Sequence, residues 1–227
     1  MTDQLVEKPA VSAAADGGGW TGALRRRMER ELPLDKLMAD RQPSYVASWI
    51  YVFGVLTLTA LCVVIASGVV LAVKGPAWWH VSGFGHYLNS VHLWGVELLM
   101  TFMSIHLVGK FFMAAWRGNR ILTWITGAVA FGVCAFTALT GYLIQQNFES
   151  QWIATQAKDG LNAIGVGAYF NVMNFGQMLL WHVALLPLAV GLIVLAHVLL
   201  VRRHGVAPPI ERRGRSEPSG QSGQEAP

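Results

Sequence analysis

The chain has 227 residues, of which 53% are hydrophobic and only 13% charged, with a net charge of +4. Soluble domains carry about 25% charged residues, so this composition excludes a disordered protein and argues against a water-soluble enzyme. Cys62 and Cys134 stand far apart in apolar stretches, which excludes a disulfide scaffold, a cysteine-rich zinc site and a Cys-x-x-Cys-His attachment motif. The basic excess reads as positively charged loops flanking a membrane, not as a nucleic-acid surface.

Residues 1–19 are small, acidic or Gly-rich and carry no apolar core of signal-peptide type, so they read as a disordered tail. Residues 20–41 mix apolar and basic side chains, with Trp20, Leu24 and Met28 near one helical face. They read as an interfacial amphipathic segment, with a solvated basic linker as the alternative. Residues 42–73, 75–96, 121–148 and 160–201 contain no Asp, Glu, Lys or Arg. A membrane span needs roughly 20 apolar residues, which predicts four transmembrane helices near 47–72, 90–116, 123–144 and 177–201. The second carries Glu97 and Lys110 and is the least obvious by hydropathy. The long connection 145–176 predicts a short surface helix over 148–157. Trp78, Trp79, Trp152 and Trp181 are expected at the outer interface, and Trp49, Trp116 and Trp124 at the inner one. Residues 205–227 are rich in Pro, Gly, Ser and Arg and read as a second disordered tail.

Fifteen of the 17 basic residues fall before the first span, between the second and third, or after the fourth; only Lys74 and Lys158 fall on the other side. The positive-inside rule then puts both termini in the cytoplasm, with four spans in a bacterial-type cytoplasmic membrane. The fold class is an all-α membrane protein, a four-helix transmembrane bundle over residues 42–204.

Four of the seven histidines lie in predicted spans: His92 and His106 on the second, His182 and His197 on the fourth. Ionisable groups at membrane depth are costly and mark function by default. The spacings of 14 and 15 residues are rises of about 21 and 22 Å. Each pair therefore places one imidazole near each side of the membrane. Fifteen residues overshoot four turns by about 60°, an offset that a kink at Pro187 would partly absorb. Alternating spans make the second and fourth parallel, so His92 meets His182 at the outer level and His106 meets His197 at the inner one. Two imidazoles per level suit iron in haem and fall short of zinc's usual ligand set. Gly54 and Gly68 on the first span and Gly127 and Gly141 on the third repeat the 14-residue interval, consistent with a flat macrocycle approaching the backbone as well as with ordinary small-residue packing.

These motifs, SVHLW and SIHLVGK on the second span, LTWITG and ALTGYLI on the third, WHVALLPL and AHVLLVRRHG on the fourth, resemble the N-terminal, four-helix, dihaem half of cytochrome b of quinol–cytochrome c reductases. The likeness is nearest to the split, chloroplast-type bf branch. It implies two non-covalent b haems, the outer of low potential on His92 and His182, the inner of high potential on His106 and His197, with Gly54, Gly68, Gly127 and Gly141 as haem-packing glycines. It also implies quinone and quinol as substrates, and as partners a Rieske iron–sulfur protein, a c-type cytochrome and a separate subunit supplying the C-terminal cytochrome b helices. A dimeric complex in membrane lipid is implied, with the chain inactive alone and no nucleic-acid partner. Departures are Leu93 where the family often has a basic residue, Gly109 beside Lys110 where many members have Arg, and IQQNF at 144–148 in place of a Pro-Trp turn. Val52 stands where chloroplast-type members carry a Cys that attaches an extra haem. The altered turn keeps open a second reading, a dihaem membrane anchor passing electrons between quinone and a non-Rieske redox enzyme. Glu97 is a candidate for proton transfer or a helix contact. Lys110 and His204 are candidates for an inner quinone pocket or a propionate contact, and Asn147 and Glu149 for outer quinol chemistry.

Overall fold

A computed structural model describes residues 20–31 and 49–207, and all regular structure among them is helical. The chain divides into two units, Met1–Arg41 and Gln42–Pro227. In the first, α1 spans Trp20–Glu31, and its Trp20, Leu24 and Met28, four residues apart, are exposed. The rest of the predicted interfacial segment and the tails over 1–19 and 208–227 lie outside the described residues.

The second unit contains α2 (Trp49–Lys74), the short α3 (Trp78–Val81), α4 (Gly83–Phe112), a 3₁₀ turn (Gly118–Arg120), α5 (Ile121–Leu143), α6 (Phe148–Ala163), α7 (Phe175–Leu180) and α8 (Leu186–His204). A single π turn, Trp181–Leu185, joins α7 to α8. Four stretches, Ile50–Lys74, Gly83–Phe112, Gly118–Leu143 and Phe175–His204, are long and apolar enough to cross a membrane. Their outward Val, Leu and Ile side chains, such as Val55, Leu58, Val69 and Leu188, are exposed, as lipid-facing surfaces must be. The protein is an integral membrane protein.

The second span begins seven residues before the predicted start. Ser82, in extended conformation, accepts a hydrogen bond from the Gly85 N–H at 3.3 Å and so satisfies a first-turn donor. It ends at Phe112, and Ala114 turns with φ 52°. The other three spans match expectation within a few residues at each end. The first stops at Gly75, whose φ of 83° is a left-handed cap that Pro76 then cannot continue into helix.

Two apolar clusters organise the unit. Ala60, Leu99, Met103, Cys134 and Val190 form the first. Each lies between the two histidines or the two glycines of its own helix, so an apolar plug separates the two histidine levels. Leu143, Ile144, Ala154, Val172 and Met178 form the second, which seats the connection between the third and fourth spans on the bundle end. The surface helix there runs to Ala163, six residues past the predicted end. Asn147 caps it by accepting from the Ser150 N–H at 2.8 Å.

Two expectations, for Trp79 as an anchor and for residues 205–207 as tail, need correction. Trp79 is 5% exposed, not an interfacial anchor: the connection folds it against α4, where a Cβ on Gly85 would lie 2.9 Å from the Trp79 Cα. Trp181 is half-buried in an aromatic cluster with Phe136 and Phe170. Residues 205–207, assigned by sequence to the tail, are held by the bundle: Ala207 is buried and its carbonyl accepts from the Tyr51 hydroxyl at 2.6 Å.

Candidate functional site

α4 carries His92 and His106, the π turn carries His182, and α8 carries His197. The π turn accounts for the unequal spacing. Pro187 lacks an N–H and cannot continue α-helical pairing back to residue 183. The turn before it accommodates one extra residue, so 15 residues on this span match 14 on the other. The sequence points to Pro187, but the offset is taken up in the π turn on its N-terminal side, around His182 itself.

Each histidine ring lies against the glycine of a neighbouring span. A Cβ on Gly68 would sit 3.0 Å from His92 Cε1, one on Gly54 3.1 Å from His106 Cε1, and one on Gly127 2.9 Å from His197 Cε1. At Gly141 a Cβ would overlap the His182 ring. The glycines on α2 thus back the histidines of α4, and those on α5 back the histidines of π turn and α8, at both levels. Any side chain at these four positions would push against the ring it faces.

Hydrogen bonds set the ring tautomers. Ser67 gives its hydroxyl proton to the Val63 carbonyl at 2.7 Å, and its oxygen is 3.0 Å from His92 Nδ1. Thr126 gives its proton to the Leu122 carbonyl at 2.9 Å, and its oxygen is 3.1 Å from His197 Nδ1. His182 Nδ1 lies 2.9 Å from the Thr137 carbonyl and 3.4 Å from Thr140 Oγ1, whose proton goes to that same carbonyl at 2.8 Å. The carbonyl facing His182 only accepts, so its Nδ1 carries the hydrogen, and the hydroxyls at His92 and His197 are placed to accept in the same way, which would leave Nε2 of all three rings with its lone pair. That is the metal-binding form of imidazole, held by an outer partner on the other nitrogen. His106 Nδ1 is buried without a partner among the described residues. Sequence reading passed over Ser67, Thr126 and Thr140. The signal was present: a hydroxyl residue directly precedes Gly68, Gly127 and Gly141, and Phe53 precedes Gly54.

At the outer level the His92 and His182 ring centroids are 6.1 Å apart. Two imidazoles on opposite sides of one metal ion, each bonded at about 2.0–2.1 Å, would have centres about 6.4 Å apart. Both rings, with Gly68 and Gly141, border a cavity of about 470 Å³ that also reaches Glu97, Asn89 and Gln145. Among the described residues there is no group of three or more His, Cys, Asp or Glu side chains that could hold a metal ion. Of the remaining candidates, Lys110 Nζ sits 3.8 Å above the Tyr51 ring. His204 Nδ1 is 3.4 Å from Thr123 Oγ1. Glu149 accepts from the Tyr142 hydroxyl at 3.0 Å. Glu97 is exposed on α4 at the cavity's edge.

Comparison with known proteins agrees with this architecture. A family model described as Cytochrome b(N-terminal)/b6/petB matches residues 97–221. The chain is 29% identical over 199 residues to the cytochrome bc complex cytochrome b subunit of Chlorobaculum thiosulfatiphilum, covering 78% of this chain and 46% of that protein. It is 27% identical to the menaquinol:cytochrome c reductase cytochrome b subunit of Geobacillus thermodenitrificans, covering 78% of this chain and 93% of that one. Against cytochrome b6 of Oltmannsiellopsis viridis it is 26% identical, with 80% and 96% covered. The chain thus spans about half of the first relative and nearly all of the other two. Among solved structures, a chain of a hyperthermophilic respiratory Complex III shares the fold with a TM-score of 0.66 at 24% identity, over 86% of this chain and 57% of that one.

Proposed function

Because the chain belongs to the cytochrome b(N-terminal)/b6 family, we propose that residues 42–204 form the dihaem half of a quinol–cytochrome c oxidoreductase and carry electrons across the membrane between two bis-histidine b haems. The observation that carries this reading is the fourfold histidine–glycine contact. Each ring is backed by a residue without a side chain, three of the four rings keep Nε2 free, and the outer pair is separated by what one shared metal ion requires.

His92 and His182 hold the outer haem; His106 and His197 hold the inner one. Haem held by an imidazole pair at each level would supply one-electron transfer. Gly54, Gly68, Gly127 and Gly141 let the Cε1 edge of each ring approach the adjacent helix closely. Ser67, Thr126 and Thr140 with the Thr137 carbonyl fix ring orientation and keep Nε2 unprotonated. Ala60, Leu99, Met103, Cys134 and Val190 exclude water between the levels. Both termini are cytoplasmic, so electrons enter at the outer level and leave at the inner one, where quinone is reduced. The outer quinol site is completed by a separate polypeptide bearing further cytochrome b helices, with a Rieske protein and a c-type cytochrome as electron acceptors in a dimeric assembly.

One observation favours the second reading, a dihaem anchor for a different redox enzyme. The turn at 145–147, with Gln146 at φ 58°, leads straight into the Asn147 cap and lacks the family's Pro-Trp pair. Purification of the native complex from membranes separates the two. Co-purifying Rieske and C-terminal cytochrome b subunits agree with the first reading, and a molybdenum- or nickel-containing subunit in their place would overturn it. Two haems per chain by pyridine haemochrome assay are expected under both.

A further inference from the structure

No Lys or Arg among the described residues lines the outer cavity, and Leu93 follows His92. The cavity's single carboxylate among those residues, Glu97, stands five residues inward of His92 on α4. The opposite, outward end is built from amides. Asn89 lies three residues before His92, about 4.5 Å outward along the helix. Gln145 follows the end of α5, four residues past Gly141. The two side chains pair reciprocally across the cavity mouth: Asn89 Nδ2 donates to Gln145 Oε1 at 3.2 Å, and Gln145 Nε2 donates to Asn89 Oδ1 at 3.4 Å. A primary amide has two N–H groups, so each keeps one donor beyond this pair. At the same end Trp79, 5% exposed, lines the cavity, and its indole N–H is buried with no partner among the described residues. The Tyr142 hydroxyl, by contrast, is already committed to Glu149.

We propose that the Asn89–Gln145 amide pair, with the Trp79 indole, is the binding end for the propionate carboxylates of the outer haem, which are held by neutral donors alone. This rests on the haem reading above and adds to it the orientation and electrostatic setting of that haem. Glu97, the one carboxylate among the described lining residues, stands at the inward end, and the spare amide N–H groups and the unpartnered Trp79 indole stand at the outward end. Neutral hydrogen bonds fix the carboxylates without cancelling their charge. The uncancelled charge stabilises the ferric ion and holds the outer haem at low potential. Asn89, Gln145 and Trp79 are positioning residues, since they act on the iron through the propionates.

The test is a redox titration of the full-length, haem-loaded protein in detergent, with infrared difference spectra on haem labelled with ¹³C in the propionates. Asn89→Arg is expected to raise the ferrous-to-ferric ratio of the lower-potential haem at fixed potential about tenfold, a shift of about 59 mV for one electron, and to leave the other haem unmoved. Asn89→Leu and Trp79→Phe are expected to shift the labelled carboxylate band, and Asn89→Gln to retain the wild-type band. Should Asn89→Leu fail to assemble, the Trp79→Phe spectrum decides. Full haem loading with unmoved potentials and an unmoved carboxylate band would overturn this proposal alone. A wild-type protein that takes up no haem would instead remove the reading on which it rests.

Discussion

Adding one methyl group behind each ring gives a graded test of the histidine–glycine contacts. The Gly→Ala methyl would meet His106 at 3.1 Å from Gly54, His92 at 3.0 Å from Gly68 and His197 at 2.9 Å from Gly127, and would overlap His182 from Gly141. Carbon atoms prefer about 3.5–4.0 Å, so the rings must retreat by about half an ångström or more. They are not free to do so, since Nδ1 of His92, His197 and His182 is tied to Ser67, Thr126 and the Thr137 carbonyl. Overpacking of this kind costs about 1–3 kcal/mol, which is about 5- to 140-fold in haem dissociation constant. The order of damage is G141A, then G127A, then G68A, with G54A mildest because the His106 Nδ1 has no tether to break. G68A and G141A should weaken the haem on His92 and His182 only, and G54A and G127A the haem on His106 and His197 only. Haem-per-protein ratio and potentiometric resolution of the two α-bands read both effects. Gly132→Ala, on the same α5 with nothing within 4 Å of its Cβ, should retain both haems. Four alanine variants that keep full loading and wild-type potentials, or losses at the wrong level, would refute the argument.

Ser67→Ala and Thr126→Ala each remove the acceptor of one Nδ1–H. Loss of such a partner typically costs 10–100-fold in metal affinity, so the first should loosen the haem at His92 and the second the haem at His197, read by competition with apomyoglobin. Asn147→Ala removes the cap of α6. It should destabilise that helix by about 0.5–2 kcal/mol, seen as faster amide exchange over 148–163 with no change in the haem spectrum.

The histidine ladder was legible because imidazoles interrupt otherwise apolar runs, and the helix period alone turns 14- and 15-residue spacings into two levels. The four glycines were legible as a repeated interval, but the partner of each was not. Which ring a glycine backs depends on which helices adjoin, and sequence periodicity carries no such information. The start of the second span was misplaced because the hydropathy of 83–89, which includes His86, Asn89 and two glycines, is weak. A single side-chain cap at Ser82 decides it. Trp79 reads as an anchor from its position, whereas its burial follows from the close approach of the connection to Gly85. The hydroxyl residues before three of the glycines were present as a pattern, but their meaning depends on a histidine more than 20 residues away in sequence.

The most direct measurement is the haem stoichiometry and reduced-minus-oxidised spectrum of the purified chain beside its four single His→Ala variants. Two b-type haems in the wild type are predicted, with loss of one in H92A and H182A and of the other in H106A and H197A. A chain whose absorbance spectrum is the same in all five proteins would contradict it.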